Sequence, residues 1–289
     1  MDIGRHFLNL PIVYRLGTRW ISYIPTSISY TISQRIADVS YIFYRSAAEN
    51  VKKNLALVFP EASEKKLSKM ALQLFRNYSK YLIDYSRFTW LNKSDILKQI
   101  IHFDDKDNLN NILQMNRGII LLTAHLGNWE LGGIFFKSYG IKTNVVTLPD
   151  EDYEIGSIRN MYRERFGVKT IIVENSPLST IEITKALHNK ETVAMLIDRY
   201  NNRPNGITIE FFNKPTQFPR GPFILSRLTG AQIIVAFVVR EENGYRGIVK
   251  GPFQVNSEKE EYEILKRVIN IFERYITIYP NQWYNFVPV

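Results

Sequence analysis

His125 and Glu130 stand five positions apart in GIILLTAHLGNWELGG, residues 118–133. An imidazole can take up and return a proton near neutral pH. A carboxylate bonded to one ring nitrogen fixes its tautomer and stabilises the imidazolium. In a continuous helix, side chains five apart point about 140° away from each other. The pair can therefore cooperate only if His125 lies in a turn and Glu130 in the first turn of the following helix. The local pattern fits, because residues 118–123 read as a buried apolar strand and a helix is expected from about Asn128 to Tyr139, stopping at Gly140. Gly127 and Asn128 allow close backbone approach, and N–H groups at a helix start can hold an anionic oxygen. The structural reading of His125 is a capping or core histidine; the strand before it and the glycines after it favour catalysis.

The spacing alone is weak. With 4 His and 28 acidic residues, a second pair, His102 and Asp107, occurs in the polar run HFDDKDN and is expected to be a surface turn. Cys 0 removes disulfide scaffolds, thiolate metal sites and acyl-cysteine chemistry. There is no Gly-x-Ser-x-Gly elbow, no His-Glu-x-x-His and no Gly-x-Gly-x-x-Gly. Gly127 and Gly132 have P-loop glycine spacing, but Gly133 and Ile134 stand where Lys and Ser/Thr belong. No metal cluster is expected.

Several elements must position this segment. From residue 63 to 88, Leu67, Met70, Ala71, Leu74, Tyr78, Tyr81, Leu82 and Tyr85 recur at helical spacing. Strands are expected at 144–148, 170–173, 192–197, 207–212, 233–239 and 245–249. Helices are expected up to Arg165 and around 179–188. Ser257 and Glu260 form a capping-box pattern before a last helix with Leu265, Val268, Ile269, Phe272 and Ile276 on one face. Such alternation predicts an α/β fold with a mainly parallel central sheet flanked by helices, the C-terminal strand ends carrying the site. The expected division is a helical, membrane-associating N-terminal segment at 1–60 and an α/β domain at 61–289, forming one continuous unit.

The 289 residues carry a formal charge of +9, with 45% hydrophobic and 22% charged residues. This composition suits a globular core and excludes intrinsic disorder. The positive balance predicts an anionic partner, and no recognition motif supports nucleic acid. Residues 7–36 are apolar and aromatic, but Arg15 and Arg19 interrupt them, so a spanning helix is not expected. No compact apolar region with a cleavage site marks a signal peptide. Basic residues interleaved with Trp20, Tyr23, Tyr30, Tyr41 and Phe43 suit an anionic bilayer surface; the alternative is a pair of core helices with charges facing solvent.

HLGNWE, containing His125 and Glu130, resembles the His-x4-Asp/Glu hallmark of the lysophospholipid acyltransferase superfamily. Within it, the chain resembles the late acyltransferases of lipid A assembly (the lauroyl and myristoyl transferases) and the mycobacterial acyltransferases of phosphatidylinositol mannosides. NLALVFPE at 54–61, Arg163 and Arg165 in YRERFG, Asp198 in AMLIDRY, FPRGPFILSRLTGA at 218–231 and YPNQW at 279–283 follow in family order. One departure is the ending YNFVPV, where the family often continues with a basic HRRW-like tail.

The resemblance implies transfer of a fatty acyl chain from an acyl carrier protein or coenzyme A thioester to a hydroxyl of a membrane (glyco)lipid, with a lipid A precursor as acceptor. No cofactor or metal is implied beyond the donor. His125 would be the general base, oriented by Glu130. Asn128, Arg163, Asp198 and Arg220 are the candidate substrate-binding residues, with an interior ion pair as the alternative for Arg163 and Asp198. The implied partners are the lipid acceptor, an acyl carrier protein and an anionic membrane surface, on the cytoplasmic face of the inner membrane. The alternatives are another acceptor, such as a phosphatidylinositol-mannoside-like lipid, or a non-catalytic membrane-binding homologue.

Overall fold

A computed structural model describes residues 23–88, 90–138, 140–149, 153–173, 177–199 and 206–289. The N-terminal stretch through Trp20, on which much of the membrane expectation rests, lies outside them.

Among the described residues, three helices come first: α1 (Thr26–Phe43), α2 (Arg45–Val58) and α3 (Glu64–Phe88). The long amphipathic α3 buries the residues its periodicity predicts, among them Leu67, Ala71, Leu74, Tyr78, Tyr81 and Tyr85. The shorter α1 is inverted. It buries Ser29, Ser33, Ala37 and Ser40, whereas Ile28, Ile32, Ile36, Val39, Ile42 and Phe43 are exposed. Small side chains let α1 lie close to α3, and their hydroxyls are satisfied within the helix, as in Ser40 Oγ donating to the Ile36 carbonyl at 2.9 Å. Arg76 of α3 clamps Asp38 of α1 with bonds of 2.6 and 3.0 Å. Among the described residues, no helix is long and apolar enough to cross a membrane.

The remaining chain builds the sheet. In order come α4 (Lys93–Leu97), β1 (Ile100–Asp104), α5 (Lys106–Gln114), β2 (Ile119–Thr123), α6 (Trp129–Ser138), β3 (Thr143–Thr147), α7 (Tyr153–Arg165), β4 (Lys169–Ile172), α8 (Pro177–His188) and β5 (Thr192–Leu196). A ribbon of β6 (Gly206–Phe211) and β7 (Lys214–Pro219) follows, then α9 (Gly221–Thr229), β8 (Gln232–Glu241), β9 (Gly244–Phe253) and α10 (Glu260–Ile278). The seven-stranded sheet has the order β1-β9-β8-β2-β5-β3-β4. β2, β3, β4, β5 and β8 run parallel, while β9 is antiparallel to β8 and carries β1 alongside it. The fold is therefore α/β with a mainly parallel central sheet flanked by helices.

The segment near 207–212 is a strand, as expected, and pairs antiparallel with β7 outside the central sheet. Two local expectations are corrected. His102 lies in edge strand β1, not a surface turn, with its side chain 54% exposed and Nδ1 2.6 Å from Glu241. The last helix begins at Glu260, whose carboxylate accepts the Asn256 N–H at 2.9 Å. Ser257 Oγ donates to that carboxylate at 3.3 Å instead of capping a helix N–H.

Candidate active site

β2 is buried at all five positions and pairs with β5 in a register that sets Thr123 opposite Leu196. Two residues beyond each strand end stand His125 and Asp198. Register therefore brings together two residues 73 positions apart. His125 Nδ1 lies 2.7 Å from one Asp198 carboxylate oxygen. The His125 backbone N–H donates to the other at 3.0 Å. The Trp283 indole N–H also donates to that second oxygen, at 3.0 Å. With Asp198 ionised, the proton sits on Nδ1 and Nε2 is left as an acceptor.

Other elements fix the loop. Gly127 has φ +69°, and a Cβ there would stand 2.1 Å from the Val238 carbonyl, so only glycine fits. Its N–H donates to the Gln282 carbonyl at 3.0 Å, and the Tyr284 N–H donates to the His125 carbonyl at 2.7 Å. Gln282 also brackets Arg240, accepting its N–H at 2.8 Å and donating to its carbonyl at 2.9 Å. The YPNQW segment thus clamps the His125 turn from the C-terminal side. Asn54 of the NLALVFPE segment in turn holds that C-terminal stretch through the Asn285 and Val287 carbonyls.

Glu130 does something different from the expectation. Its two oxygens accept from Arg163 at 2.6 and 3.0 Å, and both side chains are almost wholly buried, at 8% and 9% exposure. The carboxylate that holds the imidazole is Asp198. The reason is geometric: α6 starts at Trp129, and the buried guanidinium on α7 offers Glu130 a two-pronged partner. Asn128 is buried and acts as the cap of α6, accepting from the Leu131 N–H at 2.9 Å. Arg220 is not drawn into this cluster. It bonds Glu258 and Glu261, which join the start of α9 to α10.

Burial and the Arg199 charge lower the pKa of His125 below its ordinary value and outweigh the opposing pull of Asp198. Burial would raise Asp198, but the charge of His125 and its hydrogen bond hold that carboxyl below the usual range. Burial likewise opposes ionisation of Glu130, and Arg163 overcomes it. The resting state is a neutral imidazole on a carboxylate, with a second carboxylate neutralised by arginine. The sequence reading missed Arg199, whose guanidinium bonds the Asn285 side chain at 3.1 Å and the Tyr284 carbonyl; its position next to Asp198 was the available signal.

Next to Trp129 and the Glu130–Arg163 pair lies a cavity partly open to solvent. Thr123, Trp129, Glu130 and Arg163 line its polar side, and Phe135, Phe136, Val145, Val168 and Val249 its apolar interior. Trp129 meets the imidazole edge-on, with ring centroids 5.1 Å apart. Among the described residues, no group of three or more His, Cys, Asp or Glu side chains could hold a metal ion.

The Glu130–Arg163 pair carries a stability prediction. Glu130→Ala leaves a buried guanidinium uncompensated and should destabilise the fold by about 3–5 kcal/mol. Glu130→Leu combined with Arg163→Met should recover much of that loss. Thermal denaturation of the three proteins checks it, and a double variant no more stable than the single one would contradict the pairing.

Comparison with known proteins gives a consistent picture. The family described as "Bacterial lipid A biosynthesis acyltransferase" matches residues 6–288. The phosphatidylinositol mannoside acyltransferase of Mycolicibacterium smegmatis is 23% identical over 278 residues, covering 95% of this chain and 89% of the relative. Its Mycobacterium tuberculosis counterpart is 25% identical over 257 residues, covering 86% and 78%. The lipid A biosynthesis palmitoleoyltransferase of Escherichia coli is 24% identical over 276 residues, covering 93% and 87%.

Proposed function

We propose a specific reaction for a chain that belongs to the bacterial lipid A biosynthesis acyltransferase family and is an O-acyltransferase acting on a glycolipid. The donor is a fatty acyl thioester of an acyl carrier protein or of coenzyme A, and the acceptor is a hydroxyl of a lipid A precursor. His125 Nε2 takes the hydroxyl proton as the oxygen attacks the thioester carbonyl carbon. The tetrahedral intermediate then collapses, the C–S bond breaks, and the imidazolium returns the proton to the leaving thiolate. With Cys 0 and no serine elbow, direct transfer is favoured over an acyl-enzyme.

The observation that carries this reading is the imidazole held at Nδ1 by Asp198, next to Trp129, which also lines a mostly apolar cavity. Asp198 is the positioning residue, and Glu130 acts at one remove by fixing Arg163. The cavity would take the acyl chain and exclude water from the thioester.

A second acceptor has its own support. Two of the relatives are named phosphatidylinositol mannoside acyltransferases, so a phosphoinositol-based glycolipid is the alternative substrate. Mass spectrometry of lipid extracts from cells with and without the protein tests both. A missing acyl chain on lipid A supports the first reading, a missing chain on a mannosylated phosphoinositide the second, and unchanged lipids refute both.

The pH dependence follows from the lowered pKa of His125. A protonated imidazole cannot accept a proton, so kcat/KM should fall as pH drops through that lowered value. The acid limb should lie below about 6.5, the ordinary histidine value. Because Arg199 depresses the imidazole, Arg199→Gln should move the limb to higher pH. A limb above 6.5 in the parent protein, or one unmoved by the substitution, would contradict the assignment.

The exposed apolar side of α1 supports peripheral membrane association; the proposed location is the cytoplasmic face of the inner membrane. Ile32 and Val39 should insert into the bilayer surface. Replacing both with Glu should weaken sedimentation with anionic vesicles by about tenfold or more, given the burial energy of two aliphatic side chains. Unchanged sedimentation would exclude α1 as the contact.

A further inference from the structure

The helix that follows the catalytic turn reads WELGGIFF from Trp129 to Phe136. At three-residue intervals it carries the pairs Trp129 and Glu130, Gly132 and Gly133, and Phe135 and Phe136. Residues three apart share a face of a helix, displaced about 4.5 Å along its axis. All six line the cavity. The intervening Leu131 is buried elsewhere, in a cluster with Phe88, Ile96, Val238 and Tyr245, and Ile134 belongs both to that cluster and to the cavity lining. One face of α6 therefore runs from a polar end, through a stretch with no side chains, to an aromatic wall.

Glycine is the poorest helix former after proline, so two in succession inside a ten-residue helix need a reason. Steric necessity is not that reason. At Gly118 a Cβ would stand 2.4 Å from the Leu187 carbonyl oxygen, and glycine is obligatory. At Gly132 the nearest atom would be Val238 Cγ2 at 3.5 Å; at Gly133, Val145 Cγ2 and Val168 Cγ1, both at 3.9 Å. These are ordinary contacts, and neither residue has positive φ. A methyl group fits at either position without a clash. A longer side chain would project into the cavity, below the Glu130–Arg163 pair and above Phe136.

We propose that Gly132 and Gly133 are specificity-determining residues that keep the passage beneath the catalytic turn open and so set how long an acyl chain the protein takes. This rests on the acyltransfer reading for the identity of the ligand. The pair gives up helix stability to leave room for an alkyl chain. Filling that room shortens the chain that fits while leaving His125, Asp198, Glu130 and Arg163 untouched.

The test measures binding of octanoic, lauric and palmitic acids to the full chain, separately from acyl transfer, for the parent protein, Gly133→Ala and Gly133→Leu. Gly133→Leu should weaken palmitic acid relative to octanoic acid by about tenfold or more, the loss of roughly two buried methylenes. Gly133→Ala should show a smaller shift in the same direction and a melting temperature raised by a few degrees, which keeps the test decisive if the leucine variant does not fold. A folded Gly133→Leu with the parent's chain-length profile, or a Gly133→Ala that melts lower with an unshifted profile, overturns the proposal. So does a parent protein that binds none of the three acids. If the binding profile shifts but the parent transfers no acyl group from any thioester, the acyltransfer reading fails and the role of the glycines stands.

Discussion

Replacing His125 with alanine is expected to cut acyl transfer by about 10²–10⁴-fold, the usual size of a general-base loss. The substitution removes the acceptor nitrogen and leaves the backbone N–H that bonds Asp198 in place. The imidazole is only 18% exposed, so folding must be followed by melting temperature alongside rate. His102 is the internal control. It also has an acid five positions on, yet it sits on edge strand β1 against Glu241. A solvent-exposed pair of that kind is worth about 0–1 kcal/mol. His102→Ala should therefore leave turnover within about twofold of the parent. If folded His125→Ala retains near-parent turnover, or His102→Ala proves the damaging change, the assignment of the base is wrong.

Asp198→Asn is expected to be nearly as severe, at about 10³–10⁴-fold, with little change in melting temperature. The amide has the shape of the carboxylate but can present an N–H to Nδ1. That favours the tautomer with its proton on Nε2, where no acceptor remains for the substrate hydroxyl. Loss of the negative charge also removes the contribution that raises the imidazole pKa, so any residual acid limb should shift to lower pH. Glu130→Gln should behave differently. It weakens the clamp on Arg163, so stability should fall first and activity with it. The two variants thereby separate the carboxylate that orients the base from the one that supports the frame. Should Asp198→Asn keep most of its rate while Glu130→Gln loses it at unchanged stability, the roles given to the two acids must be exchanged.

Much of the frame is legible in the sequence because its signals are local. The apolar period of α3 and the unbroken apolar run of β2 each report burial within a few residues. The misses have physical causes. β7 reads KPTQFP, with two prolines and a lysine, and owes its form to pairing with β6. β1 is a short edge strand whose exposed residues show no alternation. On α1 the buried face is serine and alanine, chosen for close approach to α3, so hydrophobicity points to the wrong side.

The site divides in the same way. His125 stands out because strand, turn and glycine surround it in sequence. Its true partner lies in another strand's extension, and only the pairing of Thr123 with Leu196 delivers it. Sequence spacing favours Glu130 because a neighbour five residues away is visible where one 73 away is not. Arg220 is similar: its partners, Glu258 and Glu261, come from the C-terminal part of the chain. Trp283 belongs to a recognisable segment, but its indole bond to Asp198 emerges only in three dimensions.

The most direct measurement is the intact mass of a glycolipid acceptor after incubation with purified protein and an acyl thioester. The acceptor should gain the mass of one fatty acid less one water, at a rate that collapses in folded His125→Ala and folded Asp198→Asn. An acceptor of unchanged mass with the folded parent protein, or equal acylation by folded His125→Ala, would contradict transfer through His125.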